Sequence, residues 1–109
     1  MASNRKLDEA LQLAQAAYRE RPEDPAISDT LGWAYFRKNL VKEAIPHLEA
    51  SVQKAPKDAM FQFHLGMAYV QTGAWANGRR ALKAALSLSP NFAGVEEARK
   101  ALAMIGDSG

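Results

Sequence analysis

The sequence predicts an all-α fold in which about six helices stack as repeated pairs. The first observation is a copied segment: DTLGWAYF at 29–36 is answered by FHLGMAYV at 63–70, and this offset defines the repeat period. The second is that Pro22, Pro56 and Pro90 recur with the same period, and each stops a helical pattern. The third is that apolar residues recur at helical spacing and do not alternate as they do in strands. A two-helix unit repeated along the chain explains all three.

The register of the repeats predicts a single domain, 1–109, that begins with part of a unit. Residues 25–58 and 59–92 form two full units, and 93–105 form a helix that closes the array. Residues 5–22 copy the second half of a unit, because LDEALQLAQAAYRERP matches VKEAIPHLEASVQKAP one repeat period later. The first unit is therefore expected to lack its own first helix.

Capping residues and breakers delimit the first three helices. Ser3 or Asn4 is placed to cap the first helix, where its side chain can accept from free backbone N–H groups. Asp24 is placed to cap the second, with Pro25 at its first position, where a missing N–H costs nothing. Pro46 lies early in the third helix and is expected to bend it slightly. The predicted ranges are about 5–20, 25–38 and 41–54.

The second half of the chain repeats this punctuation. Asp58 is expected to cap the fourth helix, Gly73 to end it, and Asn91 to cap the sixth. The sixth helix has one apolar and one charged face, which is what the terminal cap of a repeat stack needs. The predicted ranges are about 59–72, 75–88 and 92–105, and the apolar stripe of the last is Val95, Ala98, Leu102 and Ile105.

Composition predicts one ordinary soluble domain. With 48% hydrophobic and 24% charged residues, 109 residues suffice for a core once the units stack. The 14 Lys and Arg residues and the 12 Asp and Glu residues are interspersed, so no basic face for nucleic acid is indicated. No uncharged stretch approaches the ~20 residues of a membrane span. We expect a soluble, cytoplasmic chain, or a periplasmic or membrane-anchored parent if a signal has been removed.

No motif for catalysis, cofactor binding or metal binding occurs. Cysteine is absent, which excludes disulfides and thiolate sites. His47 and His64 lie far apart in the sequence on different helices, so they lack metal-ligand spacing, and His47 is expected at the surface. Neither a glycine-rich phosphate loop nor a nucleophile elbow is present. We therefore expect no enzyme activity, no catalytic or metal-binding residue and no cofactor.

The motif L-G-x-x-Y marks the first helix of each full unit. It occurs at 31–35 and 65–69, within two-helix units that end in proline. Over residues 7–92 this pattern resembles the tetratricopeptide repeat (TPR) family, whose units have a similar length. The resemblance implies a solenoid, in which antiparallel helix pairs form a right-handed superhelix. It also implies that the chain is the C-terminal part of a longer, bacterial-type TPR array.

Small residues are expected where the two helices of a pair approach each other. Gly32 and Gly66 lie inside helices, and glycine there is tolerated only where close packing compensates for its cost. The chain departs from the family pattern where Ser28 and Gln62 replace an aromatic residue, and where Gly78 replaces an alanine. These departures are expected to loosen the packing. Tyr18, Tyr35 and Tyr69 are expected as core aromatics whose hydroxyls reach the edge.

The resemblance also implies a partner-binding face. In this family the first helix of each unit lines the concave side, and the side chains at those positions are mostly apolar in this chain. Contiguous exposed apolar patches generally mark interaction sites. The expected partner-binding residues are Asp29, Trp33, Phe36, Arg37, Met60, Phe63, His64, Met67, Val70 and Gln71.

Trp33 and Phe63 carry this hypothesis. A helix cannot place them in the same seam as Leu31 and Tyr35, so they are expected to face the groove. The competing interpretation is that part of the set belongs to the core. Phe36, whose position is commonly aromatic in the family, is one such residue.

The expected function is a non-catalytic protein-interaction module that binds an apolar or amphipathic segment of a partner protein. Some family members clamp a chaperone's C-terminal carboxylate with Lys, Asn and Arg, but Trp33, Phe63 and Met67 stand at such positions here, so that partner is not expected. Nucleic acid and membrane insertion are not expected either. The alternative is self-assembly into a homo-oligomer through the open N-terminal end or the groove. A third interpretation is a regulatory appendage of an enzyme encoded elsewhere in the parent protein.

Overall fold

The structure, a computed structural model, describes residues 2–106, with side chains from Arg5 onward. These residues form six helices and no strand, which confirms the all-α prediction. None of the six is long and apolar enough to cross a membrane. The helices are α1 (Ala2–Glu20), α2 (Pro25–Arg37), α3 (Val41–Lys54), α4 (Ala59–Gln71), α5 (Trp75–Leu88) and α6 (Val95–Ile105).

Side-chain caps fix where the first helix of each full unit begins. Asp24 and Asp58 accept hydrogen bonds from backbone N–H groups in the first turns of α2 and α4, at 2.9 and 3.1 Å. Both caps agree with the sequence, and α2 to α5 begin at the predicted residues. α1 begins before the expected caps Ser3 and Asn4, whose side chains lie outside the described residues.

The start of α6 differs from the prediction. Asn91 does not cap it: the helix begins at Val95, with Gly94 at the N-cap and no side-chain cap bond. Residues 90–94 form a turn instead. This turn places Phe92 against the ring of Phe63, at a centroid distance of 5.5 Å. Burial of this aromatic pair thus replaces a polar cap at this end of the chain.

The helix-interior glycines permit close packing within each pair, as predicted. A methyl group added at Gly32 would lie 2.7 Å from Leu48 Cγ, and one added at Gly66 would lie 2.8 Å from Leu82 Cγ. Both leucines are fully buried. The two units therefore use the same contact, one repeat period apart.

The expectation that Gly78 loosens the second unit is wrong. A methyl group there would lie 2.7 Å from Val70 Cγ2 and 3.3 Å from the carbonyl oxygen of Gly66. One repeat period earlier, Ala44 stands at the position of Gly78, and Phe36 stands at the position of Val70. Glycine on α5 thus accommodates a β-branched valine on α4, and the helices remain in close contact.

Candidate protein-interaction surface

Two of the predicted concave residues form a buried contact between units. His64 of α4 lies beside Asp29 of α2, with Nδ1 2.8 Å from Oδ1 and 3.0 Å from Oδ2. The side chains are only 8% and 10% exposed. Because an ionised carboxylate only accepts hydrogen bonds, Nδ1 is the donor. The contact joins the first helices of the two full units.

Trp33 is half-buried, and both of its faces are occupied. Its ring stacks on Phe36 at a centroid distance of 4.6 Å and an interplanar angle of 6°. It also stacks on His64 at 4.0 Å and 21°. Two rings this close and this parallel would overlap on one face of the indole, so they lie on opposite faces. Trp33 therefore does not present a free ring to a partner.

Phe63 is buried, at 5% exposure, so the expectation that it faces an open groove is wrong. Its ring packs against Phe92, and a methyl group at Gly94 would overlap it. It belongs to a core cluster that includes Leu102 of α6. The physical reason is that α6 packs against both α4 and α5 and covers this end of the concave side. We call Phe36, Trp33, His64, Phe63 and Phe92 the inner aromatic array.

The remaining predicted residues divide by their position along the helices. Of the ten predicted partner-binding residues, only Arg37 and Gln71, the last residues of α2 and α4, are exposed. The structure thus brings the predicted residues together on α2 and α4, but most of their surface serves packing between helices. Contact with a partner stays a prediction for the accessible part. The half-buried members, all packed against the two core clusters, are Phe36, Met60, Met67 and Val70.

An apolar groove lies next to the predicted set, at the C-terminal ends of α4 and α6. It has a volume of about 450 Å³. Trp75 is 51% exposed and Met104 is 84% exposed, so both present large apolar surfaces to solvent. We call this site the terminal groove, and its lining residues are Val70, Gln71, Trp75, Met104 and Ile105.

Sequence reasoning found Val70 and Gln71 but missed the other residues of the terminal groove. Trp75 aligns with the half-buried Val41 one unit earlier, so the repeat register indicates a packed position. A signal is present nonetheless, because Met104 lies outside the apolar stripe of α6 and is nevertheless apolar. An apolar residue on the charged face of a terminal helix is a candidate contact.

Arg79 holds one wall of the terminal groove in place. Its Nε donates to the carbonyl oxygen of Gly106 at 2.7 Å, and its Nη2 donates to that of Ile105 at 3.4 Å. These carbonyls lie at the C-terminal end of α6, where backbone acceptors have no helical partner. The guanidinium therefore fixes the end of α6 against α5.

The structure supports no metal centre within residues 2–106, because no three potential ligands cluster there.

The expectation that His47 lies at the surface is wrong, since it is half-buried between two tyrosines. Its ring meets Tyr18 edge-on at 4.9 Å and stacks on Tyr35 at 5.7 Å. Burial lowers the pKa of His47, because it disfavours the charged form.

Comparison with known proteins agrees with this architecture. A family model for the tetratricopeptide repeat matches residues 30–93. The chain is 36% identical over 58 residues to a TPR repeat-containing protein of Pseudomonas aeruginosa, covering 53% of this chain and 10% of that protein. It is 33% identical over 90 residues to cellulose synthase operon protein C of Escherichia coli K12, covering 83% of this chain and 7% of that protein. The chain thus spans a tenth or less of the length of these relatives.

Solved structures share the fold. The Yersinia enterocolitica type III secretion chaperone SycD, in complex with a peptide of the translocator YopD, superposes with a TM-score of 0.77 at 21% identity, covering 95% of this chain and 82% of that chain. MamA of AMB-1 superposes with a TM-score of 0.74 at 24% identity, covering 92% of this chain and 60% of that chain. At these identities the likeness concerns the fold alone. The family model matches more than half of the residues, so the chain belongs to the tetratricopeptide repeat family.

Proposed function

We propose that this domain is a non-catalytic protein-interaction module that binds an apolar or amphipathic segment of a partner on its concave side, with the terminal groove as the main anchor. The observation that carries the proposal is the exposure of Trp75 and Met104 beside Val70. Aromatic and methionine side chains are frequent anchors in interfaces, since they bury much area and adapt to the partner. SycD, which shares the fold, is described with a bound peptide of YopD, which supports this class of function.

The lining of the terminal groove indicates what it can accept. None of its five residues carries a charge. Its volume of about 450 Å³ is in the range of sites that take compact apolar groups. An amphipathic helix could therefore insert one or two apolar side chains, while Gln71 meets its polar edge. Burial of such side chains would supply the affinity.

A selection experiment tests this proposal. Helical peptides selected from a library on the immobilised protein should carry apolar residues at i, i+3 and i+4. A variant with Trp75→Ala and Met104→Ala should bind them at least about tenfold more weakly, because two anchors are lost. Leu13→Ala is the matched control, since it removes another exposed apolar side chain, on α1. Selected peptides that bind the double variant as tightly as the parent protein would refute the proposal.

Self-assembly is the second candidate, and Leu13 favours it. This residue is 73% exposed on α1, the helix without a first-helix partner among the described residues. Exposed apolar surface on such a helix favours pairing with a second copy. Light scattering over a wide concentration range should then show a dimer that Leu13→Glu abolishes. A monomer at every concentration would exclude this candidate.

A further inference from the structure

A second cleft lies where α1, α2 and α3 meet, away from the terminal groove. Its volume is about 300 Å³. Unlike the terminal groove, it combines an apolar wall with several polar side chains. Its lining residues are Gln15, Tyr18, Arg19, Leu31, Tyr35 and His47.

The repeat register supplies an internal comparison for this cleft. Gln15 Nε2 donates a hydrogen bond to Tyr35 Oη at 3.1 Å. At the equivalent positions one unit later, Tyr69 Oη donates to Glu49 Oε2 at 2.5 Å. We call the contact of Gln15 with Tyr35 the first joint and that of Glu49 with Tyr69 the second joint. The second joint thus contains a carboxylate that accepts from the tyrosine, whereas the first has an amide in its place.

In this cleft, several hydrogen-bond donors consequently have no acceptor. Within residues 5–106, neither the Arg19 guanidinium nor the hydroxyl hydrogens of Tyr18 and Tyr35 have an acceptor, and no carboxylate lines the cleft. The ring of His47 likewise makes no hydrogen bond to these residues. Donor groups that lack an acceptor, gathered around one cavity, favour an anion.

We propose that this cleft binds a ligand that carries a carboxylate on a small apolar or aromatic body. The carboxylate would take the role that Glu49 has in the second joint, accepting from the Tyr35 hydroxyl and pairing with Arg19. Arginine donates to carboxylates in a planar, two-pronged geometry that strengthens such contacts. The body of the ligand would lie against Leu31 and the aromatic rings. This site is separate from the terminal groove and does not depend on the proposed function.

Acidity should strengthen binding at this site. The titratable groups that line the cleft with His47 are Tyr18 and Arg19 of α1 and Tyr35 of α2. Since burial lowers the pKa of His47, the free cleft holds a neutral imidazole near pH 7. A bound carboxylate favours the protonated ring, so binding takes up a proton and becomes tighter as the pH falls.

Benzoate and its neutral analogue benzamide provide the first test. The ring signals of Tyr18, Tyr35 and His47 are followed by NMR during titration. Benzoate should give saturable shifts, with higher affinity at pH 6 than at pH 7.5, and benzamide should not. Blocked glutamate and blocked glutamine distinguish an acidic side chain of a protein from a free small acid. Tighter binding of blocked glutamate than of benzoate points to the protein source, and the reverse order points to the small acid.

Variants taken from the second joint control this test. Gln15→Glu installs the carboxylate found at Glu49 and should weaken benzoate binding at least about tenfold. Arg19→Gln, which installs the residue found at Gln53, should do the same, whereas Arg80→Gln beside Tyr69 should change nothing. Far-UV circular dichroism checks that each variant folds. The proposal is overturned if no shift saturates up to about 50 mM, if benzamide reproduces the shifts, or if binding survives both cleft variants.

Discussion

The inner aromatic array and the terminal groove are both rich in large apolar side chains, yet only the groove exposes them widely to solvent. In the array, Phe63 of α4 is 5% exposed and packs against the C-terminal segment. In the groove, Trp75 is 51% exposed at the start of α5. The difference comes from the end of the stack, because α6 and the turn before it cover Phe63, and α6 ends beside the groove.

This contrast shows how a repeat register can mislead about function. A position that faces the concave side in one unit becomes core where the next helix packs over it. The Asp29–His64 contact adds a polar tie between the two first helices, next to the ring of Trp33. The array therefore connects the units, whereas the groove stays open to solvent.

At the polar contact beside the array, the largest fall in the free energy of unfolding is expected from Asp29→Ala. It leaves the buried His64 ring without its acceptor, and a buried donor left unsatisfied costs about 1–3 kcal/mol. Urea unfolding measures this cost. Asp29→Ala combined with His64→Leu should cost less than the sum of the single changes, because the pair is then removed together. Strict additivity would show that the contact does not couple α2 to α4.

The free energy of unfolding should fall somewhat less for Gly66→Ala. The new methyl group would lie 2.8 Å from Leu82 Cγ, and such overpacking costs about 1–3 kcal/mol. The better helix propensity of alanine returns up to about 1 kcal/mol of this. Gly73→Asn is the control, since nothing lies within 4 Å of that position and asparagine tolerates its φ of +84°. Thermal unfolding that ranks the control below Gly66→Ala would contradict close packing at α4 and α5.

The sequence was sufficient for the fold because local signals and the repeat agree. Asp24 and Asp58 cap α2 and α4 just after Pro22 and Pro56 stop the preceding helical patterns, so these two boundaries were indicated twice. The site was harder to predict. Burial of Phe63 depends on the path of residues 90–94, where Asn91 suggested a cap and Phe92 instead packs inward. Packing between distant segments overrides a local capping preference, and the amino-acid pattern alone does not reveal it.

Stability should fall at high pH because of the second joint. Burial, the hydrogen bond to Glu49 and its charge raise the pKa of Tyr69 from 10.0 to about 12. Between these values the folded chain binds more protons than the unfolded chain, so stability is fully present below pH 10 and is lost as the pH rises through about 12. Glu49→Gln should make the urea midpoint less dependent on pH in this window. If the urea midpoint of the variant depends on pH as before, the hydrogen bond between Tyr69 and Glu49 is contradicted.

The cleft beside the first joint should show a weaker effect at low pH, through His47. Because burial lowers the pKa of His47, the unfolded chain binds more protons below its ordinary value of 6.5. The stability contribution is therefore fully present above pH 6.5 and is lost as the pH falls through the folded-state value. His47→Gln should remove this part of the pH dependence in urea titrations. If the stability of the variant depends on pH as strongly as that of the parent protein, another group is responsible.

The contrast between array and groove is tested most directly by comparing Phe63→Ala with Trp75→Ala in one assay. The free energy of unfolding in urea should fall by about 3–5 kcal/mol for Phe63→Ala, which empties a core position. It should fall by about 0.5 kcal/mol or less for Trp75→Ala, whose side chain is half exposed. Equal losses, or a larger loss for Trp75→Ala, would contradict the assignment of Phe63 to the core and of Trp75 to the open groove.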